Sequence, residues 1–489
     1  MDIVHVIRMP GTGLARFSER SIVVGKQPRV YRNIFVIALG KAVQALARLR
    51  GGAGSALPGL IVDRIAPSFA VKVLSTMPYG VVVISGTNGK TTTTKIVTEL
   101  LESLGLNVLT NNTGSNFMRG VIAALLNKIT LRGHLDADIA VLELDEAHAV
   151  HFVKRVPPRY SLLLNVMPDQ LDRFGSVEYT AGLLQEIARY TLDTVVVNRE
   201  DRYLSLIDLP PSVRLCRFGL SPQLRSSFSL RENRESDEMH SGEKGEHLPA
   251  SVVLNAMEGN KASFELDGSV FSVELALKGS YNAFNAAAAL ALVREILRRD
   301  DSELDRQSDG QFDSEPDSQP NSQPNSQPNS QRDQRLIDAL ASVQSAFGRG
   351  ESFIVNDREV EVLLVKNSGG FQSALDSFDP HGLITMVAVN DGYGDGRDVS
   401  WLFDVDFTSL KEIGVAMLSG ARAYDMALRL SYDEVPCQQI ETDPQIALDH
   451  VLADKSSAAL PLRIYCTYTA MTKLCERLNT LQAGKQMIR

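Results

Sequence analysis

At 489 residues the chain is too long for one typical domain and long enough for two or three, each with its own core. With 44% hydrophobic and 22% charged residues it has an ordinary soluble globular composition, and a net charge of -9 argues against a nucleic-acid binder working through a basic surface. Cys216, Cys437, Cys466 and Cys475 form neither a C-x-x-C pair nor a small disulfide framework, and neither a signal peptide nor a spanning apolar run is read; a reduced cytoplasm is the expected setting.

Residues 1–75 read as an N-terminal extension, partly helical, broken at Gly51-Gly52-Ala53-Gly54 and Pro58-Gly59. Within it, Asn33 to Arg50 sets an apolar face beside Lys41, Arg48 and Arg50. The pattern fits a helix lying on a membrane surface or a helix packed on its own domain, and its ordinary length and charge favour packing.

From Gly80 strand and helix alternate. Val81–Ser85 is a short β-branched run, Lys90–Leu104 has helical spacing, Gly105 ends it, and Val108-Leu109 starts the next strand. Apolar runs at Ile139–Leu144, Ser161–Val166 and Thr194–Asn198 follow, predicting a mainly parallel sheet with helices on both faces. This gives a domain over 76–299, with a polar insert at 221–248. Residues 300–334 carry Asp317-Ser-Gln-Pro and then Asn-Ser-Gln-Pro-like units, a tract too polar to offset ordering entropy, and are expected to be a disordered linker. A second α/β domain over 335–489 has strands predicted near Val360–Val365, Leu383–Val389 and Gly414–Leu418.

The stretch Gly86-Thr87-Asn88-Gly89-Lys90-Thr91-Thr92 sits at a predicted strand-to-helix turn. Backbone N–H groups at a helix start, added to its positive dipole end, cradle phosphate oxygens, and glycines let the backbone approach them. Lys90 is placed to reach outer phosphates and the Thr91 hydroxyl to ligate magnesium. The spacing G-x-x-x-x-G-K-[ST] is not met, because position 84 is Ile; the context carries the reading.

Strand Ile139–Leu144 leads into Glu143-Leu-Asp145-Glu146 at the carboxyl edge of the sheet, where open α/β sites form. Glu143 is the first choice for a magnesium ligand, with Asp145 and Glu146 as companions; a solvated acidic turn fits the same residues. Asn165-Val-Met-Pro-Asp169-Gln170-Leu-Asp172-Arg173-Phe174 follows the next strand and fits either a site loop or an Asp/Pro turn. His148 and His151 lack further partners for a zinc set and read as an exposed helix face.

Gly86–Thr92, Glu143, Asn165 with Asp169–Gly175, Tyr281-Asn282-Ala-Phe-Asn285-Ala286 and Gly348-Arg349 follow the order seen in Mur ligases, and the chain resembles that family. The resemblance implies a central P-loop ATPase domain with a parallel sheet and a C-terminal Rossmann-like α/β domain. It gives Asn282 and Asn285 an adenine-reading role and Arg349 a nucleotide contact at the domain junction; on the residues alone the asparagines also fit helix caps.

The likeness is nearest to the MurT branch, the synthetase subunits of lipid II isoglutaminyl synthase. Asp169-Gln170 stands where many Mur ligases have Asp-His, Lys366-Asn367-Ser-Gly-Gly370 resembles Lys-Asn-Pro-Ala-Gly, and Asp395-Gly396-Arg397-Asp398-Val-Ser-Trp401 resembles Asp-Gly-Arg-Asp-x-Ser-Trp. Only about 80 residues precede the phosphate loop, leaving little room for a UDP-binding first domain. MurT proteins often carry a four-cysteine zinc ribbon; here Cys216 has no cysteine after it until Cys437, so no zinc is expected.

The implied activity is ATP- and magnesium-dependent amidation of the D-glutamate α-carboxyl of the lipid II stem peptide to D-isoglutamine, through an acyl phosphate, with Lys90 acting in phosphoryl transfer. Ammonia is implied to come from a GatD-type glutaminase, with Asp398 completing that partner's triad; on the residues alone, Asp395, Arg397 and Asp398 equally fit a turn with an internal ion pair. Membrane contact is implied only through the lipid-linked substrate, at the inner face. Two other readings stay open: a Mur-like amino-acid ligase acting alone, and a non-catalytic nucleotide-binding scaffold for cell-wall enzymes.

Overall fold

The computed structural model describes residues 33–49, 56–111, 117–168, 176–225, 228, 248–309, 327–344 and 349–486. Three helices come first: α1 (Ile34–Leu49), α2 (Ala56–Ile65) and α3 (Phe69–Leu74). They pack on the helix that follows the second strand, not apart from the domain.

The central sheet begins with β1 (Gly80–Ser85), followed by α4 (Lys90–Ser103), β2 (Val108–Thr110), α5 (Met118–Lys128), β3 (Ile139–Glu143), α6 (Glu146–Arg155), β4 (Tyr160–Leu163), β5 (Thr194–Asn198) and β6 (Arg214–Leu220). Val81–Ile84 is a continuous apolar run because β1 is covered on both faces, as a central parallel strand must be. It pairs in parallel with β3, Gly80 opposite Ile139, and with β4, Val82 opposite Tyr160. All strand carboxyl ends therefore meet along one edge.

The sheet then departs from the alternation. β7 (Val252–Glu258) joins β6 in parallel, but β8 (Lys261–Leu266) and β9 (Ser269–Glu274) turn back as an antiparallel meander, giving nine strands in the order β2-β3-β1-β4-β5-β6-β7-β8-β9. Asp267 and Gly268, at φ of 46° and 87°, form the two-residue turn between β8 and β9.

A helix over Ser280–Asp309 lies on this sheet through an alanine face; Ala283, Ala286 and Ala287 are fully buried, and their small size lets the backbone sit close. It runs past residue 300, where the linker was expected to start, because no Gly or Pro interrupts the sequence before Gly310. The next helix, Gln327–Leu340, begins inside the polar tract; 310–326 and most of 221–248 lie outside the described residues.

The C-terminal sheet has six strands in the order β10-β11-β15-β12-β13-β14: β10 (Arg349–Val355), β11 (Arg358–Leu364), β12 (Ile384–Ala388), β13 (Val415–Ser419), β14 (Cys437–Glu441) and β15 (Leu462–Cys466). Only the β10–β11 hairpin is antiparallel, turning through Asn356 and Asp357 at positive φ. Apolar clusters cover both faces of each sheet. The fold is thus the expected α/β class, two sheets rich in parallel strands, with the loop after β11 facing the phosphate loop.

Candidate functional site

The loop Gly86–Gly89 joins β1 to α4, and two of its glycines are fixed by geometry. Gly86 has φ 129°, and a Cβ there would lie 3.0 Å from the backbone of Asn165. Gly89 caps α4 at φ 88°, and a Cβ would lie 2.4 Å from Asn285 Oδ1. Gly89→Ala is therefore expected to lose about 1–2 kcal/mol of stability from the left-handed backbone alone, read as a lower urea midpoint with an unchanged m-value.

The end of β4 holds this loop in shape. Asn165 clamps Asn88, its Oδ1 accepting from Asn88 N at 2.8 Å and its Nδ2 donating to Asn88 O at 3.1 Å. Thr87 Oγ1 accepts from Met167 N at 3.0 Å. Asn165, read from the sequence as a site or turn residue, thus acts on the phosphate loop's backbone. Asp169–Gly175 lie outside the described residues.

Lys90 opens α4 and is buried. Its ammonium is held against the loop by the carbonyl oxygens of Gly86 and Thr87, and by Glu146 Oε1 at 3.4 Å. Burial pushes the Glu146 carboxyl up, but Lys90, the residue's own N–H at the start of α6 and Lys366 together outweigh it and hold the group below the usual carboxylate range. Glu146, expected as a companion for the metal, is instead the counter-ion of Lys90. Buried and paired, it is committed to the lysine.

Thr91 and Glu143 do come together: Thr91 Oγ1 donates to Glu143 Oε1 at 2.8 Å. Asn111 fixes the end of β3, accepting from Glu143 N at 2.9 Å and donating to Glu143 O at 2.8 Å. A hydroxyl and a carboxylate side by side at the helix start are the oxygen donors a hard cation takes next to phosphates.

The C-terminal domain completes the site. Lys366 Nζ donates to Thr87 O at 3.1 Å, and the Asn367 and Asn88 amides exchange two hydrogen bonds, each 3.1 Å. Asn367 also caps the helix Ser368–Ser377 by accepting from Gly370 N. A Cβ at Gly369 would lie 2.8 Å from Met167 Sδ, so the glycine leaves room for that side chain. Sequence reading treated this loop as a likeness only; its docking on the phosphate loop depends on residues 279 apart, a pairing that local spacing does not reveal.

Between the domains lies a cavity of about 290 Å³, reached by Gly89, Thr92, Asn165, Tyr281, Asn285 and Lys366. Asn285 faces it, whereas Asn282 is buried, donates to Lys278 O at 2.7 Å and does not line it. That contact is not a helix cap, because the amide donates to a carbonyl and its Oδ1 accepts no hydrogen bond among the described residues. Arg349 opens β10, and its side chain lies outside the described residues.

Asp398 stands apart from this cavity. It is exposed, accepts from Ser400 N at 2.8 Å, and hydrogen bonds from Ser400 keep its carboxyl below its usual value. Asp395 instead turns inward: it is buried and accepts from Gly392 N and from the backbone and hydroxyl of Thr469. No ion pair joins Arg397 to either carboxylate among the described residues. One aspartate anchors the loop, and the other is presented outward.

Cys216 is buried beside Ser251, and burial pushes its thiol up to about 11, away from the thiolate a metal requires. The ring of His148 packs edge-on against Phe117. Among the described residues no group of three or more His, Cys, Asp or Glu is placed to hold a metal ion.

The Mur ligase middle domain model matches residues 84–293 and the MurT ligase C-terminal model residues 364–471. The chain is 27% identical over 474 residues to lipid II isoglutaminyl synthase (glutamine-hydrolyzing) subunit MurT of Streptococcus pneumoniae, covering 91% of this chain and 95% of that protein. To the subunit of the same name from Staphylococcus aureus strain COL it is 24% identical, covering 92% and 98%. Among solved structures, the MurF ligase of Thermotoga maritima in complex with ADP superposes with a TM-score of 0.58 at 18% identity, covering 87% of this chain and 85% of that one.

Proposed function

Because the chain belongs to the Mur ligase family and carries a MurT-type C-terminal domain, we propose that it amidates the α-carboxyl of D-glutamate in the lipid II stem peptide at the expense of ATP. The observation that carries this reading is the phosphate loop closed by a second domain, with Lys90 on one side and Lys366 on the other.

A carboxylate does not exchange oxygen for nitrogen at neutral pH, because oxide is too poor a leaving group. Its oxygen instead attacks the γ-phosphorus of ATP, releasing ADP and leaving an acyl phosphate. Ammonia then attacks the acyl carbon, phosphate departs with the carboxylate oxygen, and the nitrogen loses a proton. The amides at the start of α4 and the Lys90 ammonium are the groups that bind and neutralise the transferring phosphoryl. Thr91 and Glu143 would hold magnesium, which supplies further charge neutralisation at the outer phosphates.

Ammonia comes, in this reading, from a GatD-type glutaminase that docks where Asp398 is presented. Purified chain with lipid II, ATP and high ammonium should form the isoglutaminyl product without a partner; ligation of a free amino acid under the same conditions would favour the lone-ligase reading instead.

Lys366 is the cation that the C-terminal domain brings to the phosphate loop. Lys366→Ala should lower the ammonium-driven rate by about 10²-fold, measured as initial rates at saturating ATP, with the melting temperature little changed because the residue is partly exposed.

A further inference from the structure

Helix α1 carries an apolar stripe on the side turned away from the protein as well as on the side it packs. A surface helix ordinarily turns its apolar stripe inward and its polar residues to water. Here Lys41 and Gln44 point to the protein, Lys41 Nζ donating to Leu126 O at 2.7 Å and Gln44 Nε2 to Ala123 O at 3.3 Å. Val36, Ile37 and Gly40 share that inner face. Within residues 34–47, every exposed side chain is apolar: Ile34, Phe35, Ala38, Ala42, Ala45 and Leu46. Phe35 is 72% exposed and Leu46 61%. At 100° per residue these six fall on one continuous face.

The helix is also set rigidly. A Cβ at Gly40 would lie within 3 Å of the Leu126 and Val62 side chains, and one at Gly59 would lie 1.9 Å from Arg119 O, so α1 packs closely on side chains of α2 and α5 while α2 meets the α5 backbone. Lys41 meets Leu126, and Gln44, three residues on, meets Ala123, three residues back. The two helices therefore run antiparallel, and the Leu46 end of α1 points toward the carboxyl edge of the sheet, where the phosphate loop lies.

Charge selects the occupant. From Arg20 to Val62 the sequence holds seven Lys or Arg and no Asp or Glu, in a chain whose net charge is -9. An apolar helix within a stretch of sequence rich in cations and free of carboxylates suits an anionic lipid surface better than a second copy of the same cationic stretch. We infer that α1 is a docking helix that seats the chain on an anionic bilayer, with its site edge turned to the lipid-linked substrate. The choice of occupant rests on the function proposed above; the exposed face does not.

The test is co-sedimentation of the full chain with vesicles of phosphatidylcholine alone or with phosphatidylglycerol, free of lipid II. The chain should bind only the anionic vesicles, more weakly at high salt, and Phe35→Asp with Leu46→Asp should weaken binding at least about tenfold. Ala42→Leu, which enlarges the same face, should strengthen it. Both variants should amidate detergent-solubilised lipid II as the unaltered chain does; failure of that reaction in every chain, with the vesicle differences intact, sinks the functional reading and supports docking. Equal vesicle binding by all three chains, or none by any, overturns the inference. So does conversion of a dimer to a monomer by the Asp pair without a change in vesicle binding, which assigns the face to a second copy.

Discussion

Lys90→Ala should cut ATP-dependent amidation by 10³-fold or more, on the order expected when a cation aimed at a transferring phosphoryl is lost. The side chain lies at the first residue of α4, against the carbonyl oxygens of the loop that binds the phosphates. The same substitution has a second consequence. It strips Glu146 of its partner, and breaking a buried pair on one side costs about 3–5 kcal/mol. Loss of activity alone would thus be ambiguous between chemistry and folding. Adding Glu146→Gln removes the stranded charge, so the double variant should regain most of the stability and none of the activity.

The pair also fixes the sign of a pH effect. Glu146 is held below its unfolded acidity, so its contribution is complete above the unfolded pKa and is lost as the pH falls through the lower folded value. With Lys90 gone, burial is opposed by less charge and the folded Glu146 takes up its proton at higher pH, so the stability deficit of Lys90→Ala relative to the unaltered chain should shrink as the pH falls.

Asp398→Asn should behave in the opposite manner, losing glutamine-dependent amidation by about 10³–10⁴-fold, the scale at which an orienting carboxylate acts on a catalytic base, while ammonium-dependent amidation stays within about twofold. The structure motivates the separation: Asp398 is exposed and lies outside the cavity at the phosphate loop, and Asp395 bears the structural contacts of its segment. Asn at 398 can still accept from Ser400 N, so the turn should persist. Because Ser400 keeps the carboxyl below its usual value, the group is ionised across the neutral range and its titration should not appear in the pH profile of the coupled reaction. Equal loss of both activities would move Asp398 into the synthetase site.

How far the sequence reaches can be judged residue by residue. Strand β5 was legible to the residue, and β1 and β3 nearly so, because strands buried on both faces are largely apolar runs; β11 was placed within two residues although Glu361 interrupts its run. The β7–β9 meander was not, since its register comes from pairing across turns. Lys90, Thr91 and Glu143 were legible because a phosphate loop and a strand-end carboxylate are local signals. The pairing of Lys90 with Glu146 was not legible in the sequence, where Glu146 stood only as a companion for the metal; the fold turns it to the lysine. Asn282 and Asn285 look equivalent in sequence, yet three residues on a helix rotate one into the cavity and the other beneath it. The outward face of α1 was hidden for a similar reason, because packing decides which side of an apolar helix is covered.

Transfer of oxygen isotope tests the central claim most directly. Lipid II carrying ¹⁸O in the D-glutamate α-carboxyl, incubated with the chain, ATP and ammonium, should release inorganic phosphate bearing one ¹⁸O for each amide formed. Label appearing in AMP, or amide formed with no label in phosphate, would contradict an acyl phosphate and with it this account of the phosphate loop.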